Sequence, residues 1–141
     1  MKIPYVDTNI YIDDYDDRPG RGFIHQGKEA KSFFHEIESG LYGLITSDHL
    51  DYQLRNYIQY QAFLKRVDAL GFHTHLTCTE EDRKLARAES RRLGVDYEDC
   101  LHFVLAMRGH ASCIITQNER HFAQFRDRIP VTRPRHIHLL I

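Results

Sequence analysis

The sequence predicts an α/β fold, a three-layer α/β/α arrangement whose central, mainly parallel sheet has about four to five strands. Short apolar segments rich in β-branched residues alternate with helical patterns along the 141 residues. Ser, Thr or Asp precedes several of the helical segments and Gly follows them, as expected at helix starts and ends. The length is that of a single domain, which we expect to span residues 1–141.

Each element follows from a local pattern. We expect strands at residues 2–6, 41–46, 112–116 and 136–141, with residues 73–75 also extended. We expect helices at residues 10–15, 29–38, 48–70, 80–93 and 97–108, and a turn or short helix at residues 119–125. Ser47 and the Thr79–Asp82 pair are typical helix caps, whereas the Pro and two Gly within residues 13–22 break regular structure.

Composition narrows the class of protein. The chain is 42% hydrophobic and 28% charged, with a net charge of −1, so any nucleic-acid-binding surface has to be local. No apolar run approaches the ~20 residues of a membrane span, and the N-terminus does not resemble a signal peptide. Three widely spaced Cys without a C-x-x-C pair are typical of reduced, buried thiols. We therefore expect a cytoplasmic protein without a membrane partner.

Residues 96–118 combine acids, an apolar helix and a buried strand. Asp96 suits the N-cap of the helix and Asp99 falls at its third position, while Gly109 ends it. The helix runs antiparallel to the strand that it feeds, and about thirteen helical residues match about five strand residues in length. The start of the helix should therefore meet the end of the strand. This places together Asp96, Glu98, Asp99, Thr116 and Asn118.

Asp7 follows the first strand and, if the strands are parallel, joins this cluster at the carboxyl edge of the sheet. Converging carboxylates at that edge favour a hard divalent cation, which takes oxygen ligands and keeps several waters. Alternatively, Asp96 and Asp99 only complement the helix dipole, for about 0.3–1 kcal/mol each. That alternative does not explain Asp7, so we favour a metal site.

Two segments resemble motifs of PIN-domain ribonucleases, which include the VapC-type toxins. Tyr-Val-Asp-Thr-Asn-Ile-Tyr-Ile-Asp at residues 5–13 is similar to their opening strand motif. Asp99 with the mostly apolar helix that follows it, and then Ile-Ile-Thr-Gln-Asn-Glu-Arg-His-Phe at residues 114–122, are similar to their closing block. The resemblance covers nearly the whole chain and implies one PIN-like domain. It implies that Asp7 and Asp99 bind Mg²⁺ or Mn²⁺, with Asp96 and Asn118 also catalytic. The supporting residues would be Thr8, Asn9, Gln53, Glu98 and Thr116.

By this resemblance the protein is a metal-dependent endoribonuclease that hydrolyses RNA, the toxin of a toxin–antitoxin pair, and a homodimer with an antitoxin partner. Gln53 stands where these enzymes usually carry a glutamate, and Asn118 where many carry an acid. The alternative is therefore a catalytically weak or inactive PIN-like module that binds RNA or protein.

Other interpretations of individual residues remain open. Three cations after the first strand could grip phosphate or be ordinary surface charge: Arg18, Arg21 and Lys28. The pairs His73/His75 and His136/His138 could ligate zinc, but without a Cys partner we favour structural roles. The aromatics of residues 52–63 could stack bases, but core or dimer contacts are favoured. A haloacid-dehalogenase-type phosphotransferase needs a second Asp where Asn9 stands, and a receiver-like module needs paired acids at the first strand.

Overall fold

A computed structural model describes residues 1–20 and 25–140. Its sheet is built from β1 (Pro4–Val6), β2 (Leu44–Ser47), β3 (His73–Leu76), β4 (Cys113–Ile115) and β5 (Val131–Thr132). The strand order is β3-β2-β1-β4-β5, and every pairing is parallel. Tyr5 pairs with Ile45 on one side and with Ile114 on the other. β1 is therefore the central strand, and its carboxyl end lies between those of β2 and β4.

The helices connect these strands. They are α1 (Thr8–Tyr15), α2 (Gln26–Glu38), α3 (Asp48–Gln53), α4 (Ile58–Asp68), α5 (Glu80–Leu93), α6 (Tyr97–Arg108) and α7 (Glu119–Phe122), followed by 3₁₀ turns at Ala123–Phe125 and Pro134–Leu139. The predicted α/β fold with a parallel central sheet of four to five strands is confirmed. Within the described residues, no helix has the length and apolar character needed to cross a bilayer.

The apolar side chains of the strands and helices form the core. β1 and β4 are buried along their whole length, and α6 buries all of residues 100–106. An aromatic group in which Tyr11 stacks on Phe34 and meets Tyr60 and Phe63 edge-on fills the space beneath α1, α2 and α4. Tyr60 and Phe63 are thus core residues, as we favoured.

The capping residues expected from the sequence define the two ends of α5. Thr79 and Asp82 form a complete capping box at the start of α5, and Gly94 ends the helix in the left-handed conformation, with φ 68°. The buried Asp82 carboxylate also accepts hydrogen bonds from Arg108 of α6, at 2.9 Å from Nε and 2.8 Å from an NH2 nitrogen. Burial alone raises the pKa of Asp82, but these hydrogen bonds and those from Thr79 outweigh it and hold the pKa below its usual range. The same carboxylate therefore caps α5 and fastens it to α6.

The predicted continuous helix over residues 48–70 is wrong. The structure breaks it into α3 and α4, with a turn at residues 54–57. Leu54 and Tyr60 are both fully buried although they lie six positions apart, a spacing that places two side chains on different faces of a straight helix. The break brings both side chains into the core.

The predicted last strand at residues 136–141 is also wrong. The fifth strand is β5, and residues 134–139 form a 3₁₀ turn. Pro134 has no amide N–H for a strand ladder, and the next amide, of Arg135, donates to Oε1 of Glu29 at 3.2 Å. His136 and His138 therefore do not share a strand face.

The acidic segment after β1 begins inside α1, which ends at Tyr15 as the predicted helix over residues 10–15 does. Asp13 and Asp14 belong to α1, and Asp13 is only 2% exposed. Burial raises the pKa of Asp13 to about 6, against the opposing charge of Arg18. α2 follows closely, since a Cβ at Gly27 would lie 2.9 Å from backbone atoms of Asp13 and Asp17. Asp13 and Asp14 therefore belong to the packed end of the predicted helix, and regular structure breaks after Tyr15.

Candidate metal centre

Asp7 lies at the carboxyl end of β1, where the chain turns into α1. Its backbone N–H donates to the carbonyl of Ile115 at 2.9 Å, and its Oδ2 accepts a hydrogen bond from Thr116 Oγ1 at 2.9 Å. The residue is only 4% exposed. Burial raises the pKa of Asp7 to about 6, and the negative charge of Asp99 adds to this, while the hydrogen bonds of Thr116 and of the Thr8 and Asn9 amides oppose it. Asp7 is therefore a buried acid at the switch point of the sheet.

Asp99 reaches the same edge from the first turn of α6. Its side chain is 18% exposed, and its Oδ2 lies 3.6 Å from Nδ1 of His121. Burial raises its pKa, and the negative charges of Asp96 and Glu98 contribute, whereas His121 opposes them. Since the charge of Asp99 also acts on Asp7, the two acids belong to one electrostatic cluster.

Thr116 and Asn118 extend this cluster beyond β4. Thr116 is fully buried, and its hydroxyl accepts from the backbone N–H of Asn118 at 3.0 Å while donating to Asp7. Asn118 itself is exposed and begins the turn into α7. Thr116 therefore joins the ends of β1 and β4, and leaves the side chain of Asn118 on the open side.

The other two acids of α6 have local partners. Asp96 is the N-cap, and its Oδ1 accepts from the backbone N–H of Glu98 at 3.2 Å. Oε2 of Glu98 lies 2.6 Å from Nε2 of His49, and burial lowers the pKa of His49 although Glu98 opposes this shift. Asp96 thus has the capping role predicted for it and contributes negative charge to Asp99, while Glu98 is held towards α3.

Gln53, at the end of α3, contacts Thr8 directly. Its Oε1 accepts a hydrogen bond from the Thr8 hydroxyl and lies 3.0 Å from Nε2 of His102, and its Nε2 donates to Glu98 at 3.4 Å. The carboxylate of Asp51 faces β3, and its Oδ2 lies 2.9 Å from Nε2 of His75. Gln53 therefore lies beside the acid cluster, and Asp51 is engaged with β3.

His102 is a buried site residue that sequence reasoning missed. Its Nδ1 lies 2.8 Å from the Tyr5 hydroxyl, which is 3.0 Å from Ser47 Oγ, and its Nε2 lies 3.2 Å from Thr8 Oγ1. Burial lowers its pKa to about 3, and the nearby His49 adds to this, so the ring is neutral near pH 7. Because a Gln oxygen only accepts, Nε2 carries the proton and Nδ1 accepts from Tyr5. The only available signal was a His three positions after Asp99 in an apolar run.

The cations predicted to grip phosphate have varied surroundings. Arg18 lies 3.7 Å from Asp13 and 4.0 Å from Asp16. Lys28 is exposed in the first turn of α2, where its backbone N–H donates to His25 Nδ1 at 3.0 Å. Arg21 lies outside the described residues. Arg18 is thus already neutralised by acids.

The histidine pair of β3 has hydrogen-bond partners. Thr46 Oγ1 lies 2.6 Å from both His73 Nε2 and His75 Nδ1, and His73 also pairs with Asp68. In residues 1–20 and 25–140, no three or more His, Cys, Asp and Glu side chains are grouped so as to hold a metal ion. A metal at the acid edge would therefore depend on the two carboxylates of Asp7 and Asp99 together with amide oxygens and water.

Comparison with protein-family models and with curated proteins gives no match for this sequence. Comparison with solved structures does find the fold. A chain of a toxin–antitoxin complex from Klebsiella pneumoniae is 19% identical, with a TM-score of 0.58 and 93% of this chain and 97% of that chain covered. A chain of VapBC2 from Rickettsia felis, bound to a DNA fragment from its promoter, is 14% identical, with a TM-score of 0.57 and coverage of 92% and 96%.

A chain of FitAcB from Neisseria gonorrhoeae is 16% identical, with a TM-score of 0.57 and coverage of 95% of this chain and 99% of that chain. The similarity extends over almost the full length of each neighbour. Together with the parallel five-stranded sheet, it confirms the PIN-like three-layer fold that the two motifs implied.

Proposed function

We propose that this protein is a metal-dependent endoribonuclease of the PIN type, and that it is the toxin of a toxin–antitoxin pair. The observation that carries this proposal is the burial of Asp7 at the carboxyl end of the central strand, within the electrostatic reach of Asp99. One solved structure of similar fold is a toxin–antitoxin complex, which supports the same class.

The acids fit a small divalent cation. Asp7 is buried, and among the described residues no Lys, Arg or His side chain forms a salt bridge with it, so its charge is uncompensated. Two carboxylates with water completing the shell match Mg²⁺, which keeps several waters in protein sites. Asp7 and Asp99 would hold the ion, Mg²⁺ or Mn²⁺. When bound, it supplies positive charge that polarises the phosphodiester and makes water a better nucleophile.

The remaining residues have definite tasks in this mechanism. Thr116 fixes the rotamer of Asp7 through its hydroxyl, and the Thr8 and Asn9 amides hold the same carboxylate. The exposed amide of Asn118 would orient the attacking water. Asp96 and Glu98 add negative charge at the start of α6, which strengthens cation binding and repels phosphate that arrives without a cation.

Cleavage of a structured RNA in Mg²⁺ and in Mn²⁺ tests the proposal. Asp7→Asn and Asp99→Asn should each lower the cleavage rate roughly a hundredfold or more, the cost of removing an electrostatic contact to the transition state. The exposed Asp127→Asn variant makes the same change outside the site and should cleave like the wild type. Equal rates for Asp99→Asn and the wild type would exclude this mechanism.

The toxin role is tested separately, by expressing the protein in cells. Induced expression of the wild type should arrest growth, and Asp99→Asn should not, because the arrest depends on cleavage. A cognate antitoxin, produced together with the wild type, should restore growth. Arrest by both proteins would separate toxicity from the acid cluster.

The proposed assembly is a cytoplasmic homodimer. Exposed apolar side chains, above all Ile58 at 83% exposure and Tyr52 at 64%, suit burial against a second copy. Light scattering should give twice the mass of one chain, and Ile58→Asp should yield monomer. A monomeric wild type would contradict the dimer and leave the nuclease proposal standing.

A catalytically weak RNA- or protein-binding module is the second candidate. Two neutral amides, of Gln53 and Asn118, stand at positions that the resemblance assigns to acids, and Gln53 is already engaged with Thr8 and His102. The module should bind RNA in calorimetry without cleaving it in either metal. Manganese-dependent cleavage that Asp7→Asn abolishes would rule it out.

A further inference from the structure

A cavity of about 350 Å³ opens beside the acid cluster, on the side of α7 and the segment after β5. It is lined by Gln117, Asn118, Glu119, Arg120, His121 and Arg133. Two of these residues connect it to the acids, since Asn118 donates its backbone N–H to Thr116 and His121 lies near Asp99. The cavity and the proposed metal centre are therefore parts of one continuous surface.

A buried carboxylate fixes one wall of the cavity. The side chain of Glu29, on α2, is only 9% exposed. Its Oε2 accepts from Gln117 Nε2 at 3.0 Å and from Arg133 NH2 at 3.2 Å, and its Oε1 accepts from the Arg135 amide. Three donors on one buried acid hold Gln117 and Arg133 in place without any ligand.

The guanidinium of Arg133 is only partly satisfied. Its Nε is buried and has no hydrogen-bond partner among the described residues. A buried donor without an acceptor is unfavourable, so such a group is normally completed by a water, an ion or a ligand. The missing partner of Arg133 is an acceptor.

The charges around the cavity favour an anion. Arg120 and His121 are exposed at its mouth, and no acid of the described residues forms a salt bridge with Arg120. Glu119 is neutralised by Arg126 at 2.6 Å, and Glu29 is neutralised by Arg133. The uncompensated charge of the cavity is therefore positive, directly next to the negative cluster of Asp7 and Asp99.

We propose that this cavity binds a backbone phosphate of single-stranded RNA, next to the phosphate that undergoes cleavage. This inference rests on the proposed function for its substrate. Arg133 and Arg120 would bind the phosphate oxygens, while the side chain of Asn118 remains available to orient the attacking water. The two non-bridging oxygens of a phosphodiester carry its negative charge and can accept from Arg133 and Arg120, and RNA is the anion that the proposed metal centre next to the cavity would hold. The surface beside α7 and the segment after β5 then sets the path of the RNA.

Binding rather than cleavage tests the proposal. The probe is a fluorescent single-stranded RNA oligonucleotide, titrated in Ca²⁺ and again in EDTA over a range of salt concentrations and followed by anisotropy. Arg120→Gln should weaken binding about tenfold, as expected for a charge-assisted contact. It should also reduce the slope of log K against log salt by about 0.7, the value for one phosphate on a single strand.

Arg133→Lys keeps the positive charge and a cation for Glu29 but removes Nε. It should weaken binding severalfold at an unchanged salt slope and unchanged melting temperature. Arg91→Gln, which removes an exposed charge on α5 outside this cavity, is the matched control and should bind like the wild type.

The outcomes separate this proposal from the nuclease proposal. Wild-type affinity in both Arg120→Gln and Arg133→Lys would overturn the phosphate site, even if the protein cleaves RNA. Selective weakening would support it, even if the protein cleaves nothing. Binding of an acidic peptide in place of RNA, with the same dependence on Arg120, would also overturn it and assign the cavity to a protein partner.

Discussion

At the scale of single residues, buried polar groups surround the candidate site. Asp7 is an acid kept in a poor environment for charge, and His102 is a base kept neutral by burial. Burial of the Asp7 carboxyl costs free energy because this group prefers to be charged, whereas His102 is neutral near pH 7 and hydrogen-bonded in the core. Side chains whose pKa is shifted by burial are typical of functional sites, and they make the stability of the fold depend on pH.

His102 should make the folded protein sensitive to acid. Its pKa is about 3 in the fold and near 6.5 when unfolded, so between these values the unfolded chain binds a proton that the folded chain does not. The free energy of unfolding should therefore fall as the pH drops below about 6.5, by up to about 1.4 kcal/mol per pH unit from this group. Urea unfolding at pH 7 and pH 5 measures it, and His102→Gln should lose less stability over this interval than the wild type.

Two controls isolate this effect. Asp7 titrates in the same range with the opposite sign, but it is present in both proteins and cancels in the difference. Three further residues face His102 and are the same in both proteins: Tyr5, Gln53 and His49. The ring centroid of His49 lies 4.9 Å from that of His102. The exposed His138→Gln should keep the wild-type pH dependence. The same pH dependence in His102→Gln would contradict the assignment.

At the scale of elements, the sequence predicts a helix end correctly where the residues next to that end determine it. Thr79 and Asp96 are typical N-cap residues and Gly94 is a typical C-cap residue. Both ends of α5 and the start of α6 could therefore be predicted. The break between α3 and α4 and the C-terminal 3₁₀ turn could not be predicted from nearby residues. They depend on burial of Leu54 and on the contact of Glu29 with the Arg135 amide, which joins residues 106 positions apart.

The close approach of α1 and α2 leads to a second prediction. Gly27→Ala adds a Cβ at 2.9 Å from backbone atoms that have no flexible end to move aside. Overpacking of this kind costs about 1–3 kcal/mol and outweighs the gain of about 1 kcal/mol in helix propensity. The melting temperature should fall by a few degrees in calorimetry.

Ser32→Ala, at an exposed position of the same helix, is the matched control and should melt at or slightly above the wild-type temperature. If Gly27→Ala were as stable as Ser32→Ala, then α1 and α2 would not approach as closely as the structure shows.

At the scale of the whole molecule, the sheet brings the site together. The parallel strands and their order made the meeting of Asp7 with Thr116 and Asn118 predictable, because all carboxyl ends lie at one edge. The roles of His102 and Glu29 were not predictable. Their partners lie far away in sequence, and neither residue type has a motif that signals its contacts.

A divalent cation should stabilise the whole fold if it binds at this edge. A ligand present at a hundred times its dissociation constant adds about 2.7 kcal/mol to the free energy of unfolding. For a chain of this size, Mn²⁺ should therefore raise the melting temperature of the wild type by roughly 5–10 °C. Calorimetry with and without Mn²⁺ measures the shift, which Asp99→Asn should lose and Asp127→Asn should keep. A shift of equal size in Asp99→Asn would place the cation elsewhere.

The pairing of β1 with β4 has a consequence for biosynthesis. Asp7 leaves the ribosome first, yet the hydroxyl that holds it belongs to Thr116, 109 positions later. A nascent chain that has not yet exposed β4 and α6 has neither Thr116 nor Asp99 beside Asp7. The acid pair is therefore assembled only after α6 and β4 have been synthesised, so that polypeptides terminated before these elements lack it.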